Sequence, residues 1–281
     1  MRLFNFPDED SDHVARLQKS FKEAEPFPHV VLHDVLTVPV ADVLAAYPSF
    51  TWAGWRSRAN SYEAGKRFCA DIELIPDLPR QMIYELMTPR FLQFVSRVTA
   101  IDALIPDPYL GGGGLHCSGP VGKLVAHTDV HLYPELKLFR QINVLLYLNP
   151  DWNSGDGGEL QLYKKGSEEP VVSIPPAFGT CVIFRTDHDS VHGVSKVSEG
   201  ANPRRSIAMY YYTSTESRRF SGDTAVHWQG GAPSNLTGLR RSQLAVSRAL
   251  SFAGQAIGHL GYLVNPIYRE ERGNREQVNA S

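Results

Sequence analysis

The run Leu124-Val125-Ala126-His127-Thr128-Asp129-Val130-His131 carries the first chemistry in this chain. Alternate side chains of a strand share a face, so His127 and Asp129 point the same way. An imidazole and a carboxylate so placed can reach one metal ion. A second histidine from another strand would complete a two-histidine, one-carboxylate set. Such a set suits Fe(II) and leaves coordination positions open for a co-substrate and O2. His192 fits that part, in Asp189-Ser190-Val191-His192-Gly193-Val194, just beyond the apolar run ending in Phe184. His188 competes from the polar stretch between Thr186 and Ser190. His131 shares a face with His127 and competes on the first strand.

Asn202-Pro203-Arg204-Arg205-Ser206-Ile207 opens the last long strand, and Arg204 stands twelve residues beyond His192. Arg204 and Ser206 alternate onto one face. A guanidinium presents a planar donor fork that matches a carboxylate. A dicarboxylate held to iron at one end needs such an anchor at the other. Arg205 is the competitor, and a salt bridge is the plain alternative for either. His116 and Cys117 precede the metal strand and are candidates to face a substrate. Lys123 and Arg140 are candidates to touch an anionic substrate, with surface charge the default reading for both. Tyr210 to Tyr212 and Trp228 read as core or rim aromatics. Gly111 to Gly114 is no phosphate loop, because Gly122-Lys123 leads to Leu124 and no Gly-Lys-Ser/Thr is present there.

The elements that must position these residues are legible in outline. Ser11 or Asp12 caps a helix with Val14, Leu17 and Phe21 at helical spacing, ended by Pro26 and Pro28. Val30 to Leu32 is a short strand, and Val38 to Tyr47 a helix. Pro79 and Pro89 punctuate the next region. Thr88-Pro89 starts another helix, with Phe91, Phe94, Val95 and Val98 on its buried face. From about Leu110 short apolar runs alternate with turns. Strands are expected at 124–130, 142–148, 159–163, 171–174, 180–185, 191–194 and 206–213, separated by Asn149-Pro150, Gly155 to Gly158, Pro175-Pro176 and Asn202-Pro203. Many short strands suggest a sandwich or barrel, and helices first with strands later make the chain α+β with a mainly β core. Three segments are expected within that plan: 1–106 as supporting helices and strands of the same domain, 107–215 as the catalytic core, and 216–281 as a C-terminal extension. In the last, Val246, Leu250, Ala253, Ile257, Leu260 and Val264 form one helical stripe. It would pack on the domain or on a second copy of the chain in a homodimer; an interfacial membrane helix is the alternative.

Composition bounds the function. The net charge of −2 supplies no global field, so nucleic acid is not expected as a partner. No uninterrupted apolar run reaches the length of a transmembrane helix, and the N-terminus lacks the apolar region of a signal peptide. The three cysteines Cys69, Cys117 and Cys181 are widely spaced and form no CxxC pair. They read as reduced thiols of a cytoplasmic protein.

The order His127-x-Asp129, His192, Arg204-x-Ser206 resembles the Fe(II)- and 2-oxoglutarate-dependent dioxygenases. Tyr147-Leu148-Asn149-Pro150-Asp151-Trp152 followed by Gly157-Gly158-Glu159-Leu160 looks like the prolyl 4-hydroxylase branch, and Pro26-Phe27-Pro28-His29-Val30-Val31 resembles the start of many bacterial members. The resemblance covers roughly residues 26 to 213. It implies a double-stranded β-helix, or jelly roll, with N-terminal supporting helices. It implies iron at His127, Asp129 and His192, the far carboxylate of 2-oxoglutarate at Arg204 and Tyr147, and help from Ser206. Its implied cofactors are Fe(II), 2-oxoglutarate as co-substrate and O2, with ascorbate as a candidate reductant. The implied reaction converts 2-oxoglutarate to succinate and CO2 and hydroxylates a C–H bond of a peptidyl residue, prolyl among the candidates, or of a small amino-acid or natural-product substrate. The carboxylate ligand is intact, which speaks against a halogenase. Some prolyl hydroxylases carry a tyrosine where this chain has Cys117. Two other functions compete: a cupin-like metalloenzyme without 2-oxoglutarate, which Arg204 argues against, and a non-enzymatic binding module, which the intact triad argues against.

Overall fold

The computed structural model describes residues 2–7, 12–58, 63–133, 136–214 and 227–228, and scattered helical positions between 242 and 257. Its framework is one curled antiparallel sheet. The strands of its main path run β1 (His29–Leu32), β10 (Cys181–Arg185), β7 (Leu138–Tyr147), β12 (Arg204–Thr213), β5 (Gly114–Thr128), β11 (Val191–Val194), β8 (Leu160–Tyr163) and β9 (Pro170–Ile174). Short strands β2 (Arg56–Arg58), β3 (Glu63–Cys69), β4 (Ile105–Pro106), β6 (Leu132–Tyr133) and β13 (His227–Trp228) attach to this path.

The pleat of the central strands separates scaffold from site. On β12, Ile207, Met209 and Tyr211 face the helices, while Arg204, Ser206, Ala208 and Tyr210 face a cavity. On β7, Ile142, Val144 and Leu146 face the helices, and Asn143 and Leu145 face the cavity. Both faces are buried, which is why these strands read as nearly continuous apolar runs. The helical layer includes α1 (Asp12–Glu23), α3 (Asp77–Glu85) and α4 (Pro89–Thr99). Phe91 of α4 packs on Tyr211 with ring centroids 5.9 Å apart, and the Tyr211 hydroxyl donates to the Leu86 carbonyl at 2.9 Å. A buried aromatic with its hydroxyl satisfied thus ties the helices to the back of the sheet. Helix α2 (Val40–Ala46) completes the set, burying Val43.

Several boundaries differ from those read in the sequence. The metal strand was expected at 124–130; β5 instead begins at Gly114 and ends at Thr128. Gly119, Pro120 and Gly122 look like a turn in sequence. The sheet absorbs them as an irregularity in which Val121 has φ 61° and its N–H donates to the Val197 carbonyl at 2.9 Å. Strand β3, with the sequence Glu-Ala-Gly-Lys-Arg-Phe-Cys, lacks apolar alternation and exists through its pairing with β5. Helix α3 was hidden behind prolines, but Pro79 falls in its first turn, where no helical N–H is lost. Thr88 does precede α4, yet its hydroxyl donates to the Glu85 carbonyl at 2.7 Å rather than capping the helix it precedes.

At the C-terminal end, Val246, Leu250, Ala253 and Ile257 are helical and exposed; Leu260 and Val264 lie outside the described residues. No helix among the described residues is long and apolar enough to cross a membrane.

Candidate active site

His127 near the end of β5 stands directly opposite His192 of β11 in the sheet register. The two rings approach to 4.5 Å between centroids. Asp129 lies one residue past β5, with its carboxylate 3.5 Å from His127 Nε2 and 3.8 Å from His192 Nε2. All three side chains are buried. His127 Nδ1 bonds the Val125 carbonyl at 2.9 Å, and His192 Nδ1 bonds the Ser190 carbonyl at 3.0 Å. Because a carbonyl can only accept, each Nδ1 carries a proton, which leaves each Nε2 as the ring atom turned to the site. That is the tautomer a metal needs.

The charge states agree with that role. Burial acts to raise the Asp129 carboxyl, but His192, the His127 hydrogen bond and Arg140 outweigh it and hold it well below the ordinary carboxylate range. Burial and the neighbouring His127 push His192 down to about 4, against the pull of Asp129. At neutral pH the set offers neutral imidazole from His192 and an ionised carboxylate, the forms that bind a divalent cation. Ligand bonds of roughly 2 Å meeting near a right angle span about 3 Å, so these donors fit one ion after a small contraction. The competing histidines do not join them. His131 is outside the cluster, and His188 lies in a separate, partly exposed group with Asp187 and Asp189.

Asn143 and Arg140 of β7 hold the carboxylate from behind. Asn143 Nδ2 donates to Asp129 Oδ2 at 3.3 Å, and Arg140 Nη1 is 3.8 Å from the same oxygen. Arg140 was expected on the surface. It is instead largely enclosed, its guanidinium 3.7 Å from the Tyr210 ring centroid and donating to the Tyr212 hydroxyl at 3.1 Å. Its sequence setting, between Phe139 and Gln141, gave no sign of this. The aromatic signal was there in Tyr210 to Tyr212, whose alternation around a cation became visible only in three dimensions.

The other end of the cavity holds Arg204 and Ser206, with Tyr147 buried beside Arg204. Arg204 is 5% exposed, its Nε donates to the Gly158 carbonyl at 2.7 Å, and its guanidinium carbon lies 4.8 Å from the Tyr147 ring centroid. Its Nη1 reaches Ser206 Oγ at 3.4 Å. Among the described residues no carboxylate pairs with it. A buried guanidinium with unused donors is a place for an anion. Arg205 is turned to the other face. Its backbone N–H donates to Asn149 Oδ1 at 2.6 Å, and its carbonyl accepts from Asn149 Nδ2 at 3.0 Å. The Tyr147 hydroxyl is buried with no hydrogen-bond partner. Arg204 is near enough to favour its ionised form, though burial dominates and raises it.

The motif residues between the two ends turn out to form a frame for Arg204, a role the sequence alone did not assign. Asn149 pins the start of β12 through Arg205 and bonds the Pro176 carbonyl at 2.7 Å. Trp152 Nε1 donates to the Gly157 carbonyl at 2.9 Å. Gly158 has φ +74°, and a Cβ there would sit 3.0 Å from Arg204 Cδ and 3.1 Å from Trp152 Cζ2. Glycine is needed for the backbone and for the arginine.

The two ends share one cavity of about 330 Å³, lined also by Lys66, Lys123, His116, Ser118, Leu145 and Leu160. That volume suits a small ligand held at the base of a substrate cleft. Of the two residues expected near substrate, His116 lines it. Cys117 does not; it is buried on the opposite face of the strand, its thiol pushed up by burial to about 11.

A curled jelly-roll sheet with an open two-histidine, one-carboxylate set is the architecture of mononuclear non-haem iron proteins. Residues 113–212 match the 2OG-Fe(II) oxygenase superfamily. That superfamily uses Fe(II), 2-oxoglutarate and O2. Over 204 residues the chain is 29% identical to a prolyl 3,4-dihydroxylase, OGFOD1, of Ostreococcus tauri, covering 69% of this chain and 38% of that one. Over 77 residues it is 34% identical to a prolyl 3-hydroxylase, OGFOD1, of Xenopus laevis, covering 26% of this chain and 15% of that one. The chain thus spans well under half the length of either relative. The crystal structure of the epimerase SnoN in complex with Fe3+, alpha-ketoglutarate and nogalamycin RO shares the fold, with a TM-score of 0.50 at 16% identity over 80% of this chain and 91% of that one.

Proposed function

We propose that this chain is an Fe(II)- and 2-oxoglutarate-dependent oxygenase that hydroxylates an unactivated C–H bond. One observation carries the reading: the His127–Asp129–His192 set and the unpaired fork of Arg204 open on the same cavity. His127, Asp129 and His192 hold the iron. Arg204, Tyr147 and Ser206 receive the far carboxylate of 2-oxoglutarate, so that its 2-oxo acid end is directed to the metal. When bound, the iron supplies activation of O2, coupled to conversion of 2-oxoglutarate to succinate and CO2. Arg140 and Asn143 fix the orientation and charge of Asp129. Leu145 and Leu160 add apolar wall, which helps exclude water from the reacting centre.

The substrate class is a peptidyl residue, prolyl first, or a small amino-acid or natural-product scaffold. Two relatives named as prolyl hydroxylases support the peptide branch. A cytoplasmic location is supported by three buried free thiols. The exposed helical residues Val246, Leu250 and Ile257 support a second copy of the chain as their cover, which sedimentation would test.

The test of the activity is anaerobic addition of 2-oxoglutarate to the Fe(II)-loaded protein. A weak visible charge-transfer band in wild type, absent in His127→Ala, is expected, with succinate formation once O2 and prolyl peptides are supplied. A folded, iron-loaded protein with neither band nor succinate would remove the 2-oxoglutarate assignment and favour a cupin-like enzyme.

A further inference from the structure

His116 lies on β5 directly opposite Ser206 of β12, and Ser206 in turn stands opposite Tyr147 of β7. These three side chains form one row across the sheet beside Arg204. Lys66 of β3 stands opposite Ser118, one row along, and pairs with Glu63 at 3.2 Å. The row is rigid. The Tyr47 hydroxyl, buried behind it, reaches the carbonyls of both His116 and Ser206, at 2.8 and 3.0 Å. His116 is 8% exposed and lines the cavity, yet its Nε2 has no hydrogen-bond partner. The Tyr147 hydroxyl in the same row is equally without one. Two buried polar groups left open in one row, His116 on the cavity wall and Tyr147 just behind it, indicate a ligand that completes them.

We propose that His116 is a direct contact to 2-oxoglutarate, its Nε2 donating a hydrogen bond to the same far carboxylate that Arg204, Tyr147 and Ser206 receive. This rests on the oxygenase reading above. The charges around the ring explain why a dicarboxylate is the partner. Lys66 on β3 and Arg204 on β12 both act on the ring, and Glu63, paired with Lys66, lines the same cavity. Burial first, then Lys66 and Arg204, disfavour its protonated form, while the backbone at Gly112 and Gly113 favours it. An arriving carboxylate offsets the two cations, so the ring can present an N–H where Nε2 now faces an unfilled bond. A neutral ligand would supply no such compensation. The sequence position next to it, Cys117, faces away, so the strand's pleat assigns this contact to His116 alone of the pair.

The experiment measures 2-oxoglutarate affinity on Fe(II)-loaded, anaerobic protein from the charge-transfer band, with iron content determined in parallel. His116→Phe keeps the bulk and removes the donor; it is expected to weaken binding about tenfold or more with iron content unchanged. His116→Gln supplies an amide N–H and is expected to bind within threefold of wild type. Wild-type affinity in His116→Phe overturns the proposal. Equal weakening in both variants also overturns it, since shape rather than a donor would then matter. A wild type that binds iron but shows no band at any 2-oxoglutarate concentration removes the oxygenase reading itself, a different failure from normal binding in the variants.

Discussion

Replacing Arg204 is the most direct test of the carboxylate end. The side chain is 5% exposed and spends one donor on the Gly158 carbonyl, leaving the rest of its fork toward Tyr147 and Ser206. In Arg204→Ala a bound carboxylate would be buried without a counter-charge, a loss of about 3–5 kcal/mol. At about 1.4 kcal/mol per factor of ten, 2-oxoglutarate affinity should fall from about 100-fold to several thousand-fold. Arg204→Lys keeps a charge but loses the planar fork and the bond to Gly158. Charged hydrogen bonds contribute about 1.5–3 kcal/mol each, so this variant should weaken binding roughly 10- to 100-fold. The readout is the anaerobic charge-transfer titration, with iron content measured in each variant. Iron should be retained, because Arg204 touches none of the three metal ligands. If Arg204→Ala binds 2-oxoglutarate within threefold of wild type, the carboxylate is held elsewhere and the two-ended site is wrong.

Other consequences can be measured independently. Gly158→Ala, placed at φ +74° and against Arg204 Cδ, should weaken 2-oxoglutarate binding by about tenfold without loss of iron; unchanged affinity would refute the framing role of that glycine. Asp129→Ala should abolish iron loading and also lower the melting temperature, because Arg140 then lies largely enclosed without its carboxylate. Adding Arg140→Met should recover part of the melting temperature but none of the iron, and a double variant no more stable than the single one would contradict the pairing. Alkali should destabilise the fold through its buried thiols. Burial raises Cys181 from 9.0 to about 12, so the stability it confers is complete below about pH 9 and is lost as pH climbs toward 12. Urea midpoints should therefore fall above pH 9, less steeply in Cys181→Ala; equal slopes would count against this.

The sequence exposed the His127–Asp129–His192 cluster and the buried Arg204 more fully than it exposed the walls between them. His127, Asp129 and His192 were legible because a strand's twofold repeat and one later apolar run suffice to bring them together. Arg204 was separable from Arg205 by the same alternation with Ser206. Arg140 was not legible. Its enclosure depends on Tyr210 and Tyr212, seventy or more residues away, and no local pattern marks a cation destined for an aromatic stack. Strand β3 escaped for a related reason, since its existence depends on the edge of β5 rather than on its own composition. The long reach of β5 was hidden by glycines and a proline that ordinarily end a strand. The Tyr147-to-Trp152 motif could be recognised as a pattern, but its physical meaning, a cradle for one arginine, needed coordinates.

Strand β5 bridges two neighbours in the curled sheet: its first residues pair with β12, and its last residues pair with β11. It therefore acts as a ruler between the two proposed ligand sites, with His116 and Ser118 on one segment and His127 on the other. A residue inserted between Leu124 and Ala126 would turn His127 to the opposite face and disconnect the metal from the co-substrate without disturbing either half of the strand. The irregular stretch around Val121 and Gly122 is different, because it already departs from regular pairing and can take up a change of length. Within this one strand, tolerance to insertion should thus change abruptly over a few residues, dividing an adjustable joint from a fixed scale.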